Sequence, residues 1–231
     1  MAKLHLESVS YIYPGAERTA LEDISLSVES DEFVVILGAN GSGKSTLGRI
    51  AAGLLEPTSG NVFISGVDNH EGWNNVGMLH QNPDNQLLMH SVESELAWGL
   101  ENIGLPRDLM QRRVAEIMRM FELESLKEAV PDSLSDGWKQ LLALASLVVM
   151  RPVFLVLDEV TGFLDPYWTK KIRRMCRDML AETGRIWITT DTVEAREADR
   201  VVILDRGRIF GLGKPEEVLK SKELVQIGLG P

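Results

Sequence analysis

The stretch GANGSGKS, from Gly38 to Ser45, fits the pattern G-x-x-x-x-G-K-[ST] and decides the fold. Its glycines allow the backbone to wrap closely around a phosphate, with consecutive N–H groups pointing inward. The pattern assigns Lys44 to the β- and γ-phosphates of a nucleotide and the Ser45 hydroxyl to Mg²⁺. The apolar run FVVIL at 33–37 predicts a buried strand before the loop, and a helix is predicted from about Lys44 to Gly53. A phosphate-binding loop requires this strand–turn–helix context.

A pair of acidic residues, Asp158 and Glu159, follows a second continuous apolar run, FLVLD at 154–158. An acid at the carboxyl end of a buried strand lies where the ligands of open α/β sheets collect. We expect Asp158 to hold Mg²⁺ through a water molecule, and Glu159 to orient or deprotonate an attacking water. The alternative is that the two acids only cap the next loop.

Strand and helix patterns alternate along most of the chain. Further strands are predicted at 3–13, 24–28, 61–65, 76–80, 185–189 and 200–204, whereas residues 91–150 contain helical patterns and no convincing strand. The sequence therefore predicts an α/β fold with a parallel sheet, in a single domain over 1–231. Its nucleotide-binding core comprises 1–82 and 152–231, and 83–151 form a helical subdomain.

The composition argues against binding to nucleic acid, against an oxidising compartment and against a transmembrane segment. A formal net charge of −10 argues against nucleic acid bound through a broad basic face. The single cysteine, Cys176, excludes an internal disulfide and fits a reducing compartment. No apolar run approaches the ~20 residues that cross a bilayer, and the first residues have no signal-peptide core. We therefore expect a cytoplasmic protein that reaches a membrane only through a partner.

Together with LSDGWKQLLALASL, which begins at Leu134, these motifs resemble the ATP-binding subunits of ABC transporters over about residues 4–220. The resemblance implies a P-loop NTPase (RecA-like) core with a mostly parallel sheet, an antiparallel β subdomain and an inserted helical subdomain. It also implies ATP and Mg²⁺ as cofactors. In that family two subunits sandwich two ATP molecules, each between one subunit's phosphate loop and the other's signature helix. The segment QNPDNQ, Gln81 to Gln86, is similar to the A subunits of energy-coupling-factor importers for cobalt, nickel or vitamins.

The resemblance also assigns roles to single positions. Tyr13 matches the aromatic residue that stacks on adenine, although it is also typical of a tyrosine packed in a sheet. Gln81 matches the glutamine that contacts Mg²⁺, and 164–166 looks like the loop that crosses the dimer interface. The expected ATP-binding residues are Tyr13, Asn40, Gly41, Ser42, Gly43, Lys44, Ser45 and Thr46; the expected Mg²⁺ ligands are Ser45, Gln81 and Asp158; the expected catalytic residues are Lys44, Gln81 and Glu159.

The resemblance implies three partners and a location. The partners are a second ABC ATPase subunit, which forms a homo- or heterodimer with this chain, a transmembrane coupling subunit, and a substrate-binding membrane subunit. The protein would lie on the inner face of the cell membrane. Many members have a further C-terminal stretch that supports pairing, and we expect a shortened one here.

The signature of the family is Leu-Ser-Gly-Gly-Gln, whereas this chain has LSDGW at 134–138. Ser135 and Gly137 remain, and the resemblance assigns both to the partner's ATP. Asp136 adds a negative charge near the γ-phosphate, which costs roughly 3 kcal/mol at ~5 Å and an effective dielectric of ~20. Trp138 replaces an amide by a ring with one donor. The alternative is that Asp136 simply caps its own helix.

A second departure is Thr190, which stands where the family has a histidine that contacts the γ-phosphate. The sequence therefore predicts nucleotide binding with weak hydrolysis. Two functions stay open: a motor subunit of an importer with reduced ATPase activity, and a catalytically weakened regulatory partner of an active ATPase. The transported substrate is chosen by a separate subunit in this family, so the sequence does not identify it.

Overall fold

The computed structural model describes residues 1–67 and 75–220. The described parts of Met1–Met78, Val153–Glu159 and Leu180–Pro231 form one compact unit, and Leu79–Pro152 with Val160–Met179 form a second. The predicted core includes 68–74 and 221–231, which lie outside the described residues. The structure groups 160–179 with the second unit, whereas the sequence-based division assigned them to the core. That division stays a prediction, because packing within one chain does not test which parts fold independently.

A six-stranded sheet organises the first unit, in the order β5-β6-β7-β3-β8-β9. The strands are β3 (Phe33–Leu37), β5 (Val76–Leu79), β6 (Phe154–Asp158), β7 (Gly184–Thr189), β8 (Arg200–Asp205) and β9 (Arg208–Gly213). Strands β6, β7, β3 and β8 pair in parallel, and only β9 is antiparallel to its neighbour β8 among the pairs with a described register. Every residue of β6 and β7 is buried, as is typical of parallel strands that are covered on both faces. The predicted mostly parallel sheet is confirmed.

A separate three-stranded antiparallel sheet has the order β2-β1-β4. Its strands are β1 (Lys3–Tyr11), β2 (Leu21–Glu29) and β4 (Ser59–Ser65). Alternate residues of β1 and β2, such as Leu4, Leu6 and Val28, enter one hydrophobic core with Leu47 and Ile50 of helix α1 (Lys44–Ala51). The antiparallel β part is therefore confirmed, and it shares the core on which the helix after the phosphate loop packs.

The remaining helices of the first unit are short: α6 (Thr192–Ala195) and α7 (Pro215–Val218). The second unit contains α2 (Val92–Asn102), α3 (Arg107–Met120), α4 (Asp136–Val148) and α5 (Pro166–Asp178). Helix α2 begins with a capping box formed by Ser91 and Ser94. The structure assigns no strand to residues 91–150, which confirms the helical block. Within the described residues, no helix combines the length and apolar character that crossing a membrane demands.

The packing of α1 predicts that Gly48 does not tolerate a side chain. A Cβ atom there would lie 2.5 Å from Ile188 Cδ1 and 3.0 Å from Val156 Cγ1. Alanine favours a helix over glycine by about 1 kcal/mol, but overpacking a core costs about 1–3 kcal/mol. We expect Gly48→Ala to lower the free energy of unfolding by up to about 2 kcal/mol, measured by urea denaturation.

Gly99→Ala in α2 is the matched control, because its Cβ atom would meet only the flexible side chain of Met150. That variant should lose less stability than Gly48→Ala. Equal losses for the two glycines would contradict the packing that we assign to α1.

Candidate functional site

The loop between β3 and α1 opens on a cavity of about 850 Å³ within the first unit. Eight of the predicted site residues line this cavity: Tyr13, Asn40, Gly41, Gly43, Lys44, Ser45, Thr46 and Glu159. The rest of the wall comes from the segment between β1 and β2, from the start of β2 and from the turn between β8 and β9. Its residues are Glu17, Arg18, Thr19, Ala20, Glu22, Arg206 and Gly207. The structure thus brings together residues that are separated by more than a hundred positions in the sequence.

Gly43 shapes the entry into α1. It has φ 106°, a left-handed conformation that favours glycine, and a Cβ atom there would lie 2.7 Å from the carbonyl oxygen of Ala20. No side chain caps the start of α1. The first N–H groups of the helix are therefore free of side-chain acceptors, which is the arrangement that binds an anion at a helix start.

Lys44 is the buried cation of the loop, with a side chain only 4% exposed. Its Nζ donates hydrogen bonds to the carbonyl oxygens of Gly38, at 2.8 Å, and Ala39, at 3.0 Å. It also lies 3.8 Å from Oε1 of Glu159. Burial lowers the pKa of Lys44 below its ordinary value, while the negative charges of Glu159 and Asp158 oppose that shift. A polyanionic ligand would favour the charged form of this lysine.

Ser45 and Asp158 meet at the carboxyl end of β6. The Ser45 hydroxyl donates a hydrogen bond of 3.0 Å to Oδ1 of Asp158, which is 6% exposed. Hydroxyl and carboxylate oxygens are ligands that suit Mg²⁺, so this pair fits the predicted metal. Within 1–67 and 75–220, no group of three or more His, Cys, Asp or Glu side chains is placed to hold a metal ion. Mg²⁺ would therefore need the oxygens of a bound phosphate and water as further ligands.

Tyr13 lies two residues beyond the end of β1, and its side chain is 37% exposed. Its hydroxyl forms a hydrogen bond of 3.0 Å with Oγ1 of Thr46, and its ring meets the edge of Tyr11 at 4.9 Å between centroids. The strand thus ends two residues before Tyr13, not at residue 13 as the sequence pattern predicts, although the ring packs on Tyr11 of that strand. Stacking on adenine stays a prediction.

Ser42 is the one predicted residue of the loop that does not line the cavity. Its side chain is buried, and its hydroxyl has no hydrogen-bond partner among the described residues. Its N–H donates to the carbonyl oxygen of Ala39, and its own carbonyl oxygen accepts from the N–H of Gly207 at 2.8 Å. The structure therefore gives Ser42 a part in the shape of the loop, and its contact with ATP stays a prediction.

Gln81 belongs to the second unit, where it lines a smaller cavity of about 240 Å³ with Asp84, Asp136 and Phe163. The QNPDNQ segment folds into a single turn, in which the Asn82 side chain accepts a hydrogen bond from the N–H of Asp84 at 3.0 Å. The Lys139 ammonium of α4 lies 2.7 Å from Oδ1 of Asp84. This hydrogen bond raises the pKa of Lys139. The turn and the signature helix are thus joined by an ion pair.

The signature helix α4 begins at Asp136, and its N-cap residue is Ser135, which makes no side-chain capping bond. The alternative in which Asp136 caps the helix is therefore wrong. Asp136 lies in the first turn, where an acidic side chain interacts favourably with the helix dipole. Its side chain is exposed.

Gly137 is buried under the ring of Trp168. A Cβ atom at Gly137 would lie 2.2 Å from that ring, so only glycine fits there. Trp138 meets Trp168 edge-on at 4.9 Å between centroids, and Nζ of Lys171 lies 5.1 Å from the Trp138 ring. Trp168 of α5 thus packs against the first turn of the signature helix and forms an aromatic pair with Trp138 of that turn.

Sequence reasoning did not identify two parts of this arrangement. The sequence predicts only a turn at Arg206 and Gly207. Nothing in this dipeptide indicates that the turn contacts the phosphate loop. The sequence predicts only that Trp168 belongs to an amphipathic helix. Nothing in the sequence indicates a ring contact with Trp138, which lies thirty positions earlier. Both contacts depend on how distant segments pack.

A family profile described as "ABC transporter" matches residues 21–162. Energy-coupling factor transporter ATP-binding protein EcfA of Syntrophomonas wolfei is 41% identical over 99% of this chain and 87% of its own length. EcfA1 of Bacillus subtilis is 39% identical over 98% of this chain and 84% of its own length.

Two solved structures are similar over most of their length. CbiO1 from Clostridium perfringens, described as part of the ABC transporter complex cbiONQ, superposes with a TM-score of 0.84 at 32% identity, covering 96% of this chain and 92% of that one. The dimeric ATP-binding cassette MJ0796 bound to ADP and Pi gives a TM-score of 0.78 at 26% identity, covering 92% and 98%.

The lowered pKa of Lys44 predicts how stability depends on pH. Between the folded-state pKa and 10.5, the unfolded chain binds a proton that the folded chain does not, so stability rises with pH through this window. Lys44→Met removes this group. We expect nucleotide-free wild type to gain stability relative to Lys44→Met as the pH rises from about 7 to about 10, measured by urea unfolding.

Lys139→Met is the control, because the pKa of Lys139 is raised above 10.5. The stability from that lysine is fully present below 10.5 and is lost only as the pH rises through the higher folded-state pKa. The difference between wild type and Lys139→Met should therefore stay flat over the same range. A flat difference for Lys44→Met as well would show that burial does not lower the pKa of Lys44.

Proposed function

The chain belongs to the ABC transporter family, and on this basis we propose that it is the ATP-binding subunit that powers an energy-coupling-factor importer for a metal ion or a vitamin. It is an ATPase whose hydrolysis is coupled to transport across a membrane. The observation that carries this proposal is the cavity of about 850 Å³, in which Tyr13, Lys44, Ser45 and Glu159 converge on the glycine-rich loop.

Different groups that line the cavity are proposed to bind different parts of Mg-ATP. The exposed ring of Tyr13 is available to the base, and the N–H groups at the start of α1 and the Lys44 ammonium serve the phosphates. Ser45 and Asp158 would hold Mg²⁺, which neutralises charge on the transferred phosphoryl group. Glu159 lies near Lys44 on the cavity wall and would orient or deprotonate the attacking water. Gln81 is proposed as a further contact of Mg²⁺ and water.

We also propose that hydrolysis is slow. Three observations support this: Trp168 covers Gly137, Asp136 places an exposed negative charge in the first turn of α4, and Thr190 replaces a histidine with a short neutral side chain. Ser135 and Gly137 remain the proposed contacts with the partner's ATP. Nucleotide binding depends on the loop and Mg²⁺ and should persist, whereas positioning of the γ-phosphate and water is weakened.

The proposed partners are a second ABC ATPase subunit, a transmembrane coupling subunit and a substrate-binding membrane subunit, with this chain on the inner face of the membrane. The solved MJ0796 cassette is a dimer, and CbiO1 is described as part of a transporter complex. Those descriptions support assembly of this chain with a second ATPase and with membrane components.

A second candidate function is a regulatory partner that binds nucleotide and gates an active ATPase. The packing of Trp168 favours it, because the ring covers Gly137 at the start of the signature helix and contacts Trp138 of the same turn. The two candidates differ in turnover: a motor subunit hydrolyses ATP at its own loop when it is paired with an intact ATPase. A regulatory subunit leaves the pair's turnover unchanged when its own Glu159 is removed.

Restoring the family residues should raise ATP turnover. We expect Asp136→Gly, Trp138→Gln and Thr190→His together to increase the ATPase rate of the isolated chain at least about tenfold, because one well-placed donor to transition-state charge contributes about a hundredfold or more. Trp168→Ala added to this triple variant should increase the rate further. Phosphate release under saturating Mg-ATP measures the rate.

Glu159→Gln in the same background is the control, and it should abolish turnover while Mg-ATP still binds. EcfA1 of Bacillus subtilis, assayed alongside, sets the rate of a family member. Wild-type turnover that already equals the rate of this relative would contradict the proposed slow hydrolysis.

Nucleotide affinity should depend on the Lys44 ammonium. Lys44→Ala removes the buried cation and should weaken Mg-ATP binding at least about tenfold, the loss expected when one charge-assisted hydrogen bond is removed. Isothermal titration calorimetry measures the affinity, and Lys139→Ala in the second unit serves as the control. Unchanged affinity in Lys44→Ala, or no affinity in the wild type, would refute the assigned site.

A further inference from the structure

The turn between β8 and β9 contributes directly to the wall of the large cavity. It consists of Arg206 and Gly207 alone, because Asp205 pairs with Arg208 across the hairpin. Both turn residues have positive φ, 46° at Arg206 and 80° at Gly207, which is the pattern of a type I′ turn.

Gly207 fastens this turn to the phosphate loop. Its N–H donates a hydrogen bond of 2.8 Å to the carbonyl oxygen of Ser42, and its own carbonyl oxygen accepts from the N–H of Glu22 at 2.8 Å. A Cβ atom at Gly207 would lie 2.7 Å from the carbonyl oxygen of Ala20. The turn therefore has a fixed position against the loop that wraps the phosphates, and Arg206 is held beside it.

Arginine is a costly residue at this position. Type I′ turns favour glycine, which has no Cβ atom, and asparagine or aspartate, whose short polar side chains can hydrogen-bond to the local backbone. Arginine has a Cβ atom without this compensation, so the left-handed conformation is unfavourable for it. A strained residue at the edge of a cavity points to a function that compensates for the lost stability. Arg206 is exposed and lines the cavity, so its guanidinium is available to a ligand.

The charges around the cavity leave Arg206 available. Lys44 lies near Glu159, and Glu22 forms an ion pair with Arg208. Among the described residues, no acidic side chain pairs with Arg206. In a chain with a formal net charge of −10, an available cation at this wall complements a polyanionic ligand.

We propose that Arg206 is a nucleotide-binding residue that donates hydrogen bonds from the β8–β9 turn to the phosphate tail. The inference rests on the proposed function in taking the ligand to be a nucleoside triphosphate. Because the turn is fastened to the phosphate loop, the guanidinium serves phosphate oxygens, which it can bind in a bidentate manner, and it does not read the base.

Arg206→Asn tests this assignment without damage to the turn, because asparagine is favoured in a left-handed conformation. Titration calorimetry on the full chain measures the dissociation constants of Mg-ATP and Mg-GTP, the latter as a probe with a different base. We expect Arg206→Asn to weaken binding of both nucleotides about five- to tenfold and by the same factor. Its thermal midpoint should equal or exceed that of the wild type.

Two further variants test whether the loss of affinity comes from the charge at position 206 or from the loss of any exposed arginine. Arg206→Lys keeps the positive charge but loses the bidentate geometry, so its affinity should lie between that of the wild type and that of Arg206→Asn. Arg196→Asn removes an exposed arginine of the same unit that does not line the cavity, and its affinities should equal those of the wild type.

Each outcome decides between the two claims. If the wild type binds nucleotide and Arg206→Asn binds it equally well, the inference fails while the proposed function stands. A loss confined to one of the two nucleotides would overturn the assignment to the phosphate tail. If the wild type binds neither nucleotide, the proposed function fails and this inference fails with it.

Discussion

The hydrogen bonds from the Lys44 ammonium to the carbonyl oxygens of Gly38 and Ala39 are the interaction on which the rest of this site depends. They close the glycine-rich loop around a cation that has lost most of its contact with water. Burying that charge is unfavourable, as its lowered pKa indicates, and the neighbouring carboxylates compensate only in part. An anion beside Lys44 would offset the remaining cost, and the phosphates of the proposed nucleotide would carry that charge.

The parallel sheet gives this loop its acidic partners. In the register of β6, β7 and β3, Asp158 pairs with Ile188 and Ile188 with Ile36, so the carboxyl ends of the strands meet at one edge. Asp158 thereby reaches Ser45, although 113 positions separate the two residues. Hydrophobic burial of the strands fixes this register, and the polar pair is a consequence of it.

In the second unit, aromatic side chains pack at the start of the signature helix. Trp168 packs on Gly137 and leaves no room for a side chain there, and Trp138 packs edge-on against the same ring. Aromatic packing of this kind stabilises the contact between α4 and α5 without a ligand. Because this packing leaves no room for a side chain at Gly137, the presence of a glycine there is explained without a phosphate contact and does not by itself imply an intact signature.

The sequence alone determined the order of strands and helices, the phosphate loop with Lys44 and Ser45, the acidic pair at the end of β6 and the helical block, because each depends on local periodicity or on a motif with fixed spacing. It also indicated the family, through motifs spread along most of the chain. Only the tertiary structure decided that Tyr13 lies outside the sheet, that Ser135 and not Asp136 occupies the N-cap, that Trp168 covers Gly137, and that Arg206 borders the cavity. The last two features depend on contacts between residues far apart in the chain, and no local pattern encodes the packing that brings them together. The first two depend on backbone conformations that a sequence pattern places only to within a residue or two.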